Sequence, residues 1–191
     1  MPITGKTHIE VARIFARHVN SVVARTVTQA RVVAFVGGGR SRTAPEIQIA
    51  FRQGAAATRA MIQTRFGRMG LYVGQVCEAV PVEKGLLRLR TLQYKYTISC
   101  EQSHDPIFRW EYVRQPEPGE QWCRHHLQGP VPLLFNDVGV SMNELHLPTG
   151  YVPFEEVLRF CIVDLKVKPL TDSWDEVLTE SYEDFRGDFL R

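Results

Sequence analysis

The sequence predicts an α+β protein with a basic helical N-terminal segment, a curled antiparallel β-meander and two C-terminal helices. Apolar residues recur at helical spacing near both ends of the chain, from Thr7 to Arg25 and again after Pro153. Between residues 71 and 128 they alternate instead, in runs separated by short turns. Sequential strands with short connections favour antiparallel pairing.

The length and composition fit one globular domain. The chain has 191 residues, of which 44% are hydrophobic and 23% charged. Its apolar runs fall short of the roughly 20 residues that cross a membrane, and the N-terminus lacks the apolar core of a signal peptide. We therefore expect a cytoplasmic protein with no membrane partner. Residues 1–70 form a mainly helical segment and residues 71–191 the sheet with its helices, together one compact domain.

Charge is distributed unevenly along the chain. Residues 1–70 carry eleven basic and two acidic residues, whereas residues 71–191 carry twelve basic and nineteen acidic ones. Seven of these acids lie in residues 170–191. The asymmetry indicates that the basic half faces a polyanion, or that the acidic end folds back onto the basic half.

The N-terminal half contains one clear helix and two ambiguous segments. The helix spans Thr7 to about Arg25, and residues 31–36 are as compatible with a buried strand as with more helix. Residues 45–66 predict a second helix, because a Pro-Glu pair suits its first turn and apolar residues keep one helical face. Apolar residues also alternate at 46–52, so a short strand there is the competing interpretation.

The central region predicts strands at Leu71–Ala79, Leu86–Ser99, Ile107–Arg114 and Trp122–Gln128. The second of these strands is interrupted in phase. Leu87 and Leu89 share one face, but the apolar series starts again at Leu92. This one-residue slip near Arg90-Thr91 predicts a β-bulge and hence a bent strand.

The C-terminal region predicts two helices. Glu155 and Glu156 follow Pro153 in a first turn, where carboxylates interact favourably with the helix dipole. Ser173 and Glu176 have the spacing of a capping box that opens the second helix. The widely spaced cysteines are expected to be buried small hydrophobes rather than disulfides. They are Cys77, Cys100, Cys123 and Cys161.

The stretch 122–128, Trp-Cys-Arg-His-His-Leu-Gln, is the most informative part of the sequence. Alternation puts Arg124 and His126 on one face and His125 on the other, so we expect His125 in the core and His126 on an open face beside Arg109. A histidine near arginines accepts a proton at neutral pH, and arginines hold phosphate oxygens. The candidate catalytic residues for metal-independent phosphodiester cleavage are therefore His126, Arg109 and Arg124. The simpler interpretation is a solvated sheet face.

Two other kinds of site are weaker. Cys100, His104, Cys123 and His125 are the ligand types of a zinc site, but their spacing is not that of zinc fingers or ribbons, and no metal is predicted. The break Gly37–Arg42 invites a phosphate-loop interpretation. It lacks the GxGxxG and GK[ST] patterns, so a plain loop or a hairpin turn is favoured. No cofactor is predicted.

Basic residues interleaved with aromatic ones are the broadest signal. Such a surface binds single-stranded RNA through charge and base stacking, whereas the alternative is that the aromatics are core and the arginines solubilise the protein. The pattern runs through Arg65, Phe66, Arg68, Tyr72, Arg88, Arg90, Tyr94, Lys95, Tyr96 and Arg109. The candidate nucleic-acid-binding residues are Arg40, Arg42, Arg65, Arg68, Arg88 and Arg90.

Three motifs resemble the TumE-type toxin family of bacterial toxin–antitoxin operons. They are Tyr94-Lys-Tyr96, Ile107-Phe-Arg-Trp-Glu-Tyr112 and Arg124-His-His126, within roughly residues 85–165. The resemblance implies an α+β toxin that acts on RNA and binds a small antitoxin, with Arg109, His125 and His126 at the matching positions. The chain departs from the family in its long basic N-terminal segment and in the Leu-Gln-Gly after the histidine pair.

These observations predict a toxin-like, nucleic-acid-directed protein, in its sharpest form a metal-independent endoribonuclease. Its expected partners are RNA or another nucleic acid and a small antitoxin-like protein. The alternative is a non-catalytic module for nucleic-acid binding or protein assembly, in which the sheet packs against another subunit. A homo-oligomer is compatible with both, and an enzyme acting on a small molecule in the cup of the sheet is a third possibility.

Overall fold

The computed structural model describes residues 3–37, 45–54, 56–103, 105–116, 119, 123–129, 132–135, 138–141 and 146–189, with the backbone alone for 132–135, 138–141 and 185–189. The strands are β1 (Thr4–Gly5), β2 (Val32–Gly37), β3 (Glu46–Gln53), β4 (Ala56–Ala57), β5 (Ala60–Thr64), β6 (Gly67–Pro81), β7 (Leu87–Cys100), β8 (Pro106–Val113), β9 (His125–Gln128), β10 (Pro132–Phe135), β11 (Val138–Ser141) and β12 (Leu147–Pro148). The helices are α1 (His8–Thr26), α2 (Phe154–Val163) and α3 (Trp174–Phe189).

The predicted α+β class is confirmed. One antiparallel sheet has the order β12-β9-β8-β7-β6-β3-β2, and its strands β6 to β9 form the predicted meander. Strand β5 pairs with the first part of β6, and β10 and β11 form a separate hairpin. Within the described part of the chain, every helix is too short or too polar to cross a lipid bilayer.

The sheet has two faces with different surroundings. Ile49, Val73 and Tyr96 lie on the helix face, so called because α1, α2 and α3 cover it, and each is at most 2% exposed. Neighbouring residues along each strand point to the opposite side, here called the open face. Burial of side chains this large stabilises the fold by about 1.5–3 kcal/mol each.

Helix α1 begins and packs as predicted. The Thr7 hydroxyl accepts a hydrogen bond from the Glu10 backbone N–H at 3.1 Å, and the Glu10 carboxylate accepts one from the Lys6 N–H at 2.7 Å. These bonds satisfy N–H groups that a helix start leaves without a partner. The helix buries a stripe that includes Val11, Phe15, Val19 and Val23.

The helix predicted for residues 45–66 is wrong. That segment forms β3, β4 and β5, and the competing strand at 46–52 is the correct interpretation. Ile47, Ile49 and Phe51 are at most 1% exposed. Burial of every second residue outweighs the helical spacing, because no element that the structure describes packs against a helical apolar face here. The strand interpretation of residues 31–36 is likewise correct. The proposed boundary near residue 70 falls inside β6, in the sheet shared by both halves.

The predicted bulge lies in β7. Cys77 pairs with Thr91 but Val76 pairs with Gln93, so Leu92 is the extra residue. Leu89 and Tyr94 are an odd number of positions apart, so strict alternation would put them on opposite faces. The bulge lets both reach the helix face. The sequence slip therefore located the irregularity to within one or two residues.

The prediction for the cysteines holds for two of the four. Cys77 and Cys161 are buried, and burial raises the pKa of each thiol to about 12. Cys123 is half-buried, but Cys100 is exposed at the end of β7, contrary to expectation. None of the four forms a disulfide.

A polar network joins the three helices. The His18 Nε2 atom lies 2.9 Å from the Ser181 Oγ atom, and the Ser181 hydroxyl donates to the Glu155 carboxylate at 2.5 Å. Burial raises the pKa of Glu155 and lowers that of His18, with Asp184 opposing the second shift. The acidic helix α3 thus packs against α1, as one interpretation of the charge asymmetry predicted.

We expect Glu155→Gln to change how stability depends on pH. Since the folded-state pKa of Glu155 is raised, its contribution is full below the unfolded pKa near 4.5 and is lost as pH rises through the folded pKa. The free energy of unfolding of Glu155→Gln should therefore rise relative to wild type as pH increases, in urea titrations from about pH 4.5 to about pH 8. Glu156→Gln, which changes a half-exposed residue of the same turn, is the control. A difference that is constant with pH would contradict this assignment.

Candidate functional site

Two adjoining clefts occupy the open face of the sheet. Their volumes are about 550 and 410 Å³, and Ala57, Tyr72 and Lys95 border both of them. The larger cleft extends to Arg109, and the smaller reaches Glu111. The Tyr72 side chain thus lies between the two clefts.

Two glycines of β6 make room for this arrangement. Gly70, Tyr72 and Gly74 are successive open-face residues of the strand. A Cβ atom on Gly74 would come within 2.8 Å of the Tyr72 hydroxyl and 2.9 Å of its Cε1 atom, so the ring lies over Gly74. The Arg59 side chain lies over Gly70 in the same way. Side chains at the glycine positions would displace both residues.

Arg59 closes one end of the larger cleft and is held there by four hydrogen bonds. Its Nη1 atom donates to the Ser99 hydroxyl at 2.8 Å and to the Cys100 and Ser103 carbonyls at 2.7 and 2.8 Å. Its Nη2 atom donates to the Glu101 carbonyl at 2.6 Å. Arg59 therefore holds the end of β7 and the turn that follows, and its role is structural.

A charged cluster surrounds Glu111 on β8. The Glu111 carboxylate lies 3.1 Å from Lys95 Nζ, 3.2 Å from Arg109 Nε and 3.3 Å from His126 Nε2. Lys95, Glu111 and His126 are directly opposite one another on β7, β8 and β9. Arg109 also donates a hydrogen bond to the Gln128 side chain. Since one carboxylate faces two permanent cations and a histidine, the cluster attracts anions.

His126 lies on the predicted face but is not open to solvent. Its side chain is 2% exposed, and its Nδ1 atom lies 2.9 Å from the Cys123 carbonyl oxygen. A carbonyl only accepts, so Nδ1 carries a proton, while Nε2 faces the Glu111 carboxylate. The expectation that the His126 ring is open to solvent is therefore wrong. His126 holds Glu111 in position instead.

Arg124 and His125 lie in surroundings that differ from those of His126. Arg124 is exposed and directly precedes β9, which begins at His125, and its carbonyl accepts a hydrogen bond from the Val113 N–H at 3.2 Å. Trp122 lies outside the described residues. His125 is on the helix face as predicted, stacked on Tyr112 at 4.3 Å between ring centroids, with Nδ1 3.2 Å from the Tyr94 oxygen. Burial is the main cause that lowers the pKa of His125, followed by the charges of His126 and Arg124.

His146 belongs to the cluster although no sequence pattern pointed to it. Its ring centroid lies 4.8 Å from that of His126, and its side chain is exposed. Its pKa is lowered, first by desolvation and then by His126 and Arg109, with Glu111 opposing the shift. Strand β12 follows directly and pairs with β9, which places His146 here. A two-residue strand leaves no alternation from which this pairing could be predicted.

Thr97 adds a polar atom that lacks a partner in the larger cleft. Its residue is 8% exposed and lies opposite Arg109 in the sheet. Its hydroxyl has no hydrogen-bond partner among the residues that the structure describes. This hydroxyl therefore offers a hydrogen-bonding group to a ligand in the larger cleft.

The candidate nucleic-acid-binding arginines do not form one patch. Arg68 pairs with Glu101 at 2.8 Å and Arg90 with Glu78 at 2.7 Å, at opposite ends of the open face and roughly 35 Å apart along the strands. Arg88 lies near Arg90 on β7, and Arg65 is 4.4 Å from the Phe66 ring at the turn before β6. Arg40 and Arg42 lie outside the described residues. The cations that line the clefts are Arg52, Arg59, Lys95 and Arg109, and of these Arg59 is held by the end of β7 and the turn after it.

The weaker alternatives lose support. Cys100 lies six residues along β7 from Tyr94, the partner of His125, which is roughly 20 Å. Across the described residues, no three His, Cys, Asp or Glu side chains are arranged to hold a metal, and His104 is outside them. Gly37 pairs with Glu46, so the glycine-rich segment lies between strands β2 and β3; residues 38–44 are themselves outside the description.

Comparison with known proteins gives no family for this chain. No family model, no curated protein and no solved structure matches it. Its function is therefore inferred from the geometry of the clefts and of the Glu111 cluster.

We expect Glu111→Gln to destabilise the fold by about 1–3 kcal/mol, because three neighbouring cationic or histidine groups lose their shared counter-charge. Urea unfolding measures the change. The matched control is Glu101→Gln, which breaks an exposed pair with Arg68 and should cost less than about 0.5 kcal/mol. Equal effects of the two substitutions would show that the cluster stabilises the fold no more than an exposed ion pair does.

Proposed function

We propose that the protein binds single-stranded nucleic acid, and RNA in particular, in the two clefts of the open face. The observation that carries the proposal is an aromatic ring between two clefts, with Lys95 and Arg109 beside it. Proteins that bind single strands combine cations that follow the backbone with aromatic side chains on which bases stack. The two clefts in a row suit a chain with repeating phosphates.

The phosphate contacts are assigned to Lys95 and Arg109. The Lys95 side chain is 49% exposed and pairs with Glu111, which it shares with Arg109 and His126. A phosphate at the cleft would therefore meet two cations and one partly neutralised carboxylate. The Thr97 hydroxyl lies in the same row of the sheet as Arg109 and supplies a donor for a phosphate oxygen.

The base contact is assigned to Tyr72. Gly74 lets the ring lie on the sheet surface, where it borders both clefts. Stacking of a base on an aromatic side chain contributes about 1–3 kcal/mol and tolerates any base. Preference for RNA follows the resemblance of residues 85–165 to TumE-type toxins, and an antitoxin-like partner would act by covering these clefts.

We expect Lys95→Ala to weaken the binding of a short single-stranded RNA several-fold and to lower the slope of log K against log salt by about 0.7, the share of one phosphate contact. Tyr72→Ala should weaken binding by about 5- to 150-fold, whereas Tyr72→Phe, which keeps the ring, should bind as wild type does. Fluorescence anisotropy over a salt series measures both effects.

The matched control for charge is Lys168→Ala, an exposed lysine beyond α2 and on the helix side of the sheet. It removes the same charge and should leave both affinity and salt slope unchanged. Equal losses from Lys95→Ala and Lys168→Ala would mean that net charge, and not the clefts, attracts RNA.

Cleavage of the bound RNA is a second candidate function, favoured by the position of His146. This exposed ring adjoins His126 and lies close enough to Arg109 and Glu111 for their charges to act on it. Its lowered pKa keeps it unprotonated near neutral pH, so it serves as the base in place of the buried His126. His126 and Glu111 then have a positioning role.

The proposed step needs no metal. His146 takes the proton of a ribose 2′-hydroxyl, and the 2′-oxygen forms a bond to the adjacent phosphorus while the bond from phosphorus to the 5′-oxygen breaks. The leaving 5′-oxygen takes a proton from water, and the products are a 2′,3′-cyclic phosphate and a 5′-hydroxyl. Arg109 and Lys95 stabilise the charge that develops on the phosphoryl oxygens.

We expect His146→Ala to reduce cleavage by about 100-fold or more without loss of RNA affinity, because a general base contributes to the reaction and not to binding. The rate should rise with pH and reach its plateau before about pH 6.5, because the pKa of His146 is lowered. A fluorogenic RNA and its 2′-deoxy analogue serve as substrates, with His8→Ala as the control. RNA that binds but stays intact would remove this function and leave the binding proposal in place.

A further inference from the structure

Strand β2 forms one end of the large sheet among the described strands. It is the last strand of the order on that side, and it pairs with β3 alone among the described strands. On its open face Val33 and Phe35 are 48% and 55% exposed, two of the most exposed large apolar side chains described. Residues 32–37 carry no charge. Proteins usually blunt such an edge with charge or proline, or cover it, because it pairs readily with another strand.

One end of this edge is closed by Asn20. Its side-chain amide accepts from the Val32 N–H at 2.8 Å and donates to the Val32 carbonyl at 2.9 Å. The outward-pointing backbone groups of a strand recur at every second residue, so Ala34 and Val36 present theirs in the same direction. Asn20 therefore limits the edge that can accept another strand to residues 33–37.

We infer that β2 pairs with β2 of a second copy of this chain, antiparallel and about a twofold axis at Phe35. In this register Ala34 of each copy exchanges two hydrogen bonds with Val36 of the other. The Phe35 side chains meet across the non-hydrogen-bonded pair on the open face, where aromatic pairs stabilise a sheet. This register does not use the backbone groups of Val32, which are already bonded to Asn20. The short open edge therefore pairs with the same edge of the second copy.

The charges beside β2 also suit this pairing. Arg31 precedes the strand at one end, and Glu46 lies opposite Gly37 at the other. An antiparallel twofold brings the Arg31 end of one copy alongside the Glu46 end of the second copy. Their Cα atoms then lie roughly 12 Å apart on the same face, within reach of the two side chains, by the spacing of strands in a sheet. The two Arg31 residues are kept at opposite ends of the junction.

The twofold axis runs perpendicular to the sheet, so both open faces point the same way. The clefts of the two copies then share one continuous surface, with β3 residues Gln48 and Ala50 on each side of the junction. A pairing of five residues is smaller than a standard interface, so the dimer forms at micromolar or higher concentration.

Sedimentation equilibrium from about 5 to about 500 µM tests the association. The weight-average mass should rise from the monomer value of 21.8 kDa toward twice that value. Phe35→Lys puts two like charges at the axis and should keep the protein monomeric throughout. Phe66→Lys, which changes an equally exposed phenylalanine at the turn before β6, should dimerise as wild type does. A monomeric wild type, or equal behaviour of the two variants, would overturn the inference.

Cross-linking tests the register. In a Cys100→Ser background, which removes the exposed native thiol, Phe35→Cys should give a disulfide-linked dimer on mild oxidation, since directly opposite residues have Cα atoms within disulfide range. Val33→Cys should not, because its counterpart lies four residues away along the junction. Efficient linking through Val33→Cys and not Phe35→Cys would overturn this register. An edge that captures a different protein while the chain stays monomeric would overturn the choice of partner.

Discussion

The antiparallel ladder between β6 and β7 is the constraint on which the rest of the structure depends. It runs from Met69 opposite Cys100 to Pro81 opposite Leu87, and it decides which residues face the helices and which face the clefts. A slip of one residue would move Leu71 and Val73 to solvent and bring Tyr72 into the core. The cost of exposing such residues fixes the register, and the bulge at Leu92 keeps both ends of β7 in phase with the core.

The open face shows how this register becomes a site. The same alternation that buries Tyr94 and Tyr96 projects Lys95 toward Glu111, and it aligns the charged groups of three strands in rows. The described helices pack on one side, and the cations and glycines of the clefts lie on the other. The binding proposed for this face therefore requires no movement of the core, because Lys95 and Arg109 already lie beside Glu111.

Local patterns were enough to predict much of the fold and little of the site. The helix from Thr7, the meander, the bulge and the two C-terminal helices each leave a signal within ten or twenty residues. The segment 45–66 misled because its apolar residues satisfy both a helical and a strand period, and only the presence of β6 as a neighbour decides between them. His126 was assigned to the correct face, yet its burial depends on Cys123, Glu111 and His146, which meet only through strand pairing.

Alternate residues of strand β6 have two separate roles. Leu71, Val73 and Gln75 pack against the helices, whereas Gly70, Tyr72 and Gly74 shape the clefts. A substitution in the first set is judged by whether the chain folds, and one in the second by what the clefts hold. Selection can therefore act on the two sets independently, and descendants of this chain are free to change ligand by diverging at every second position of a single strand.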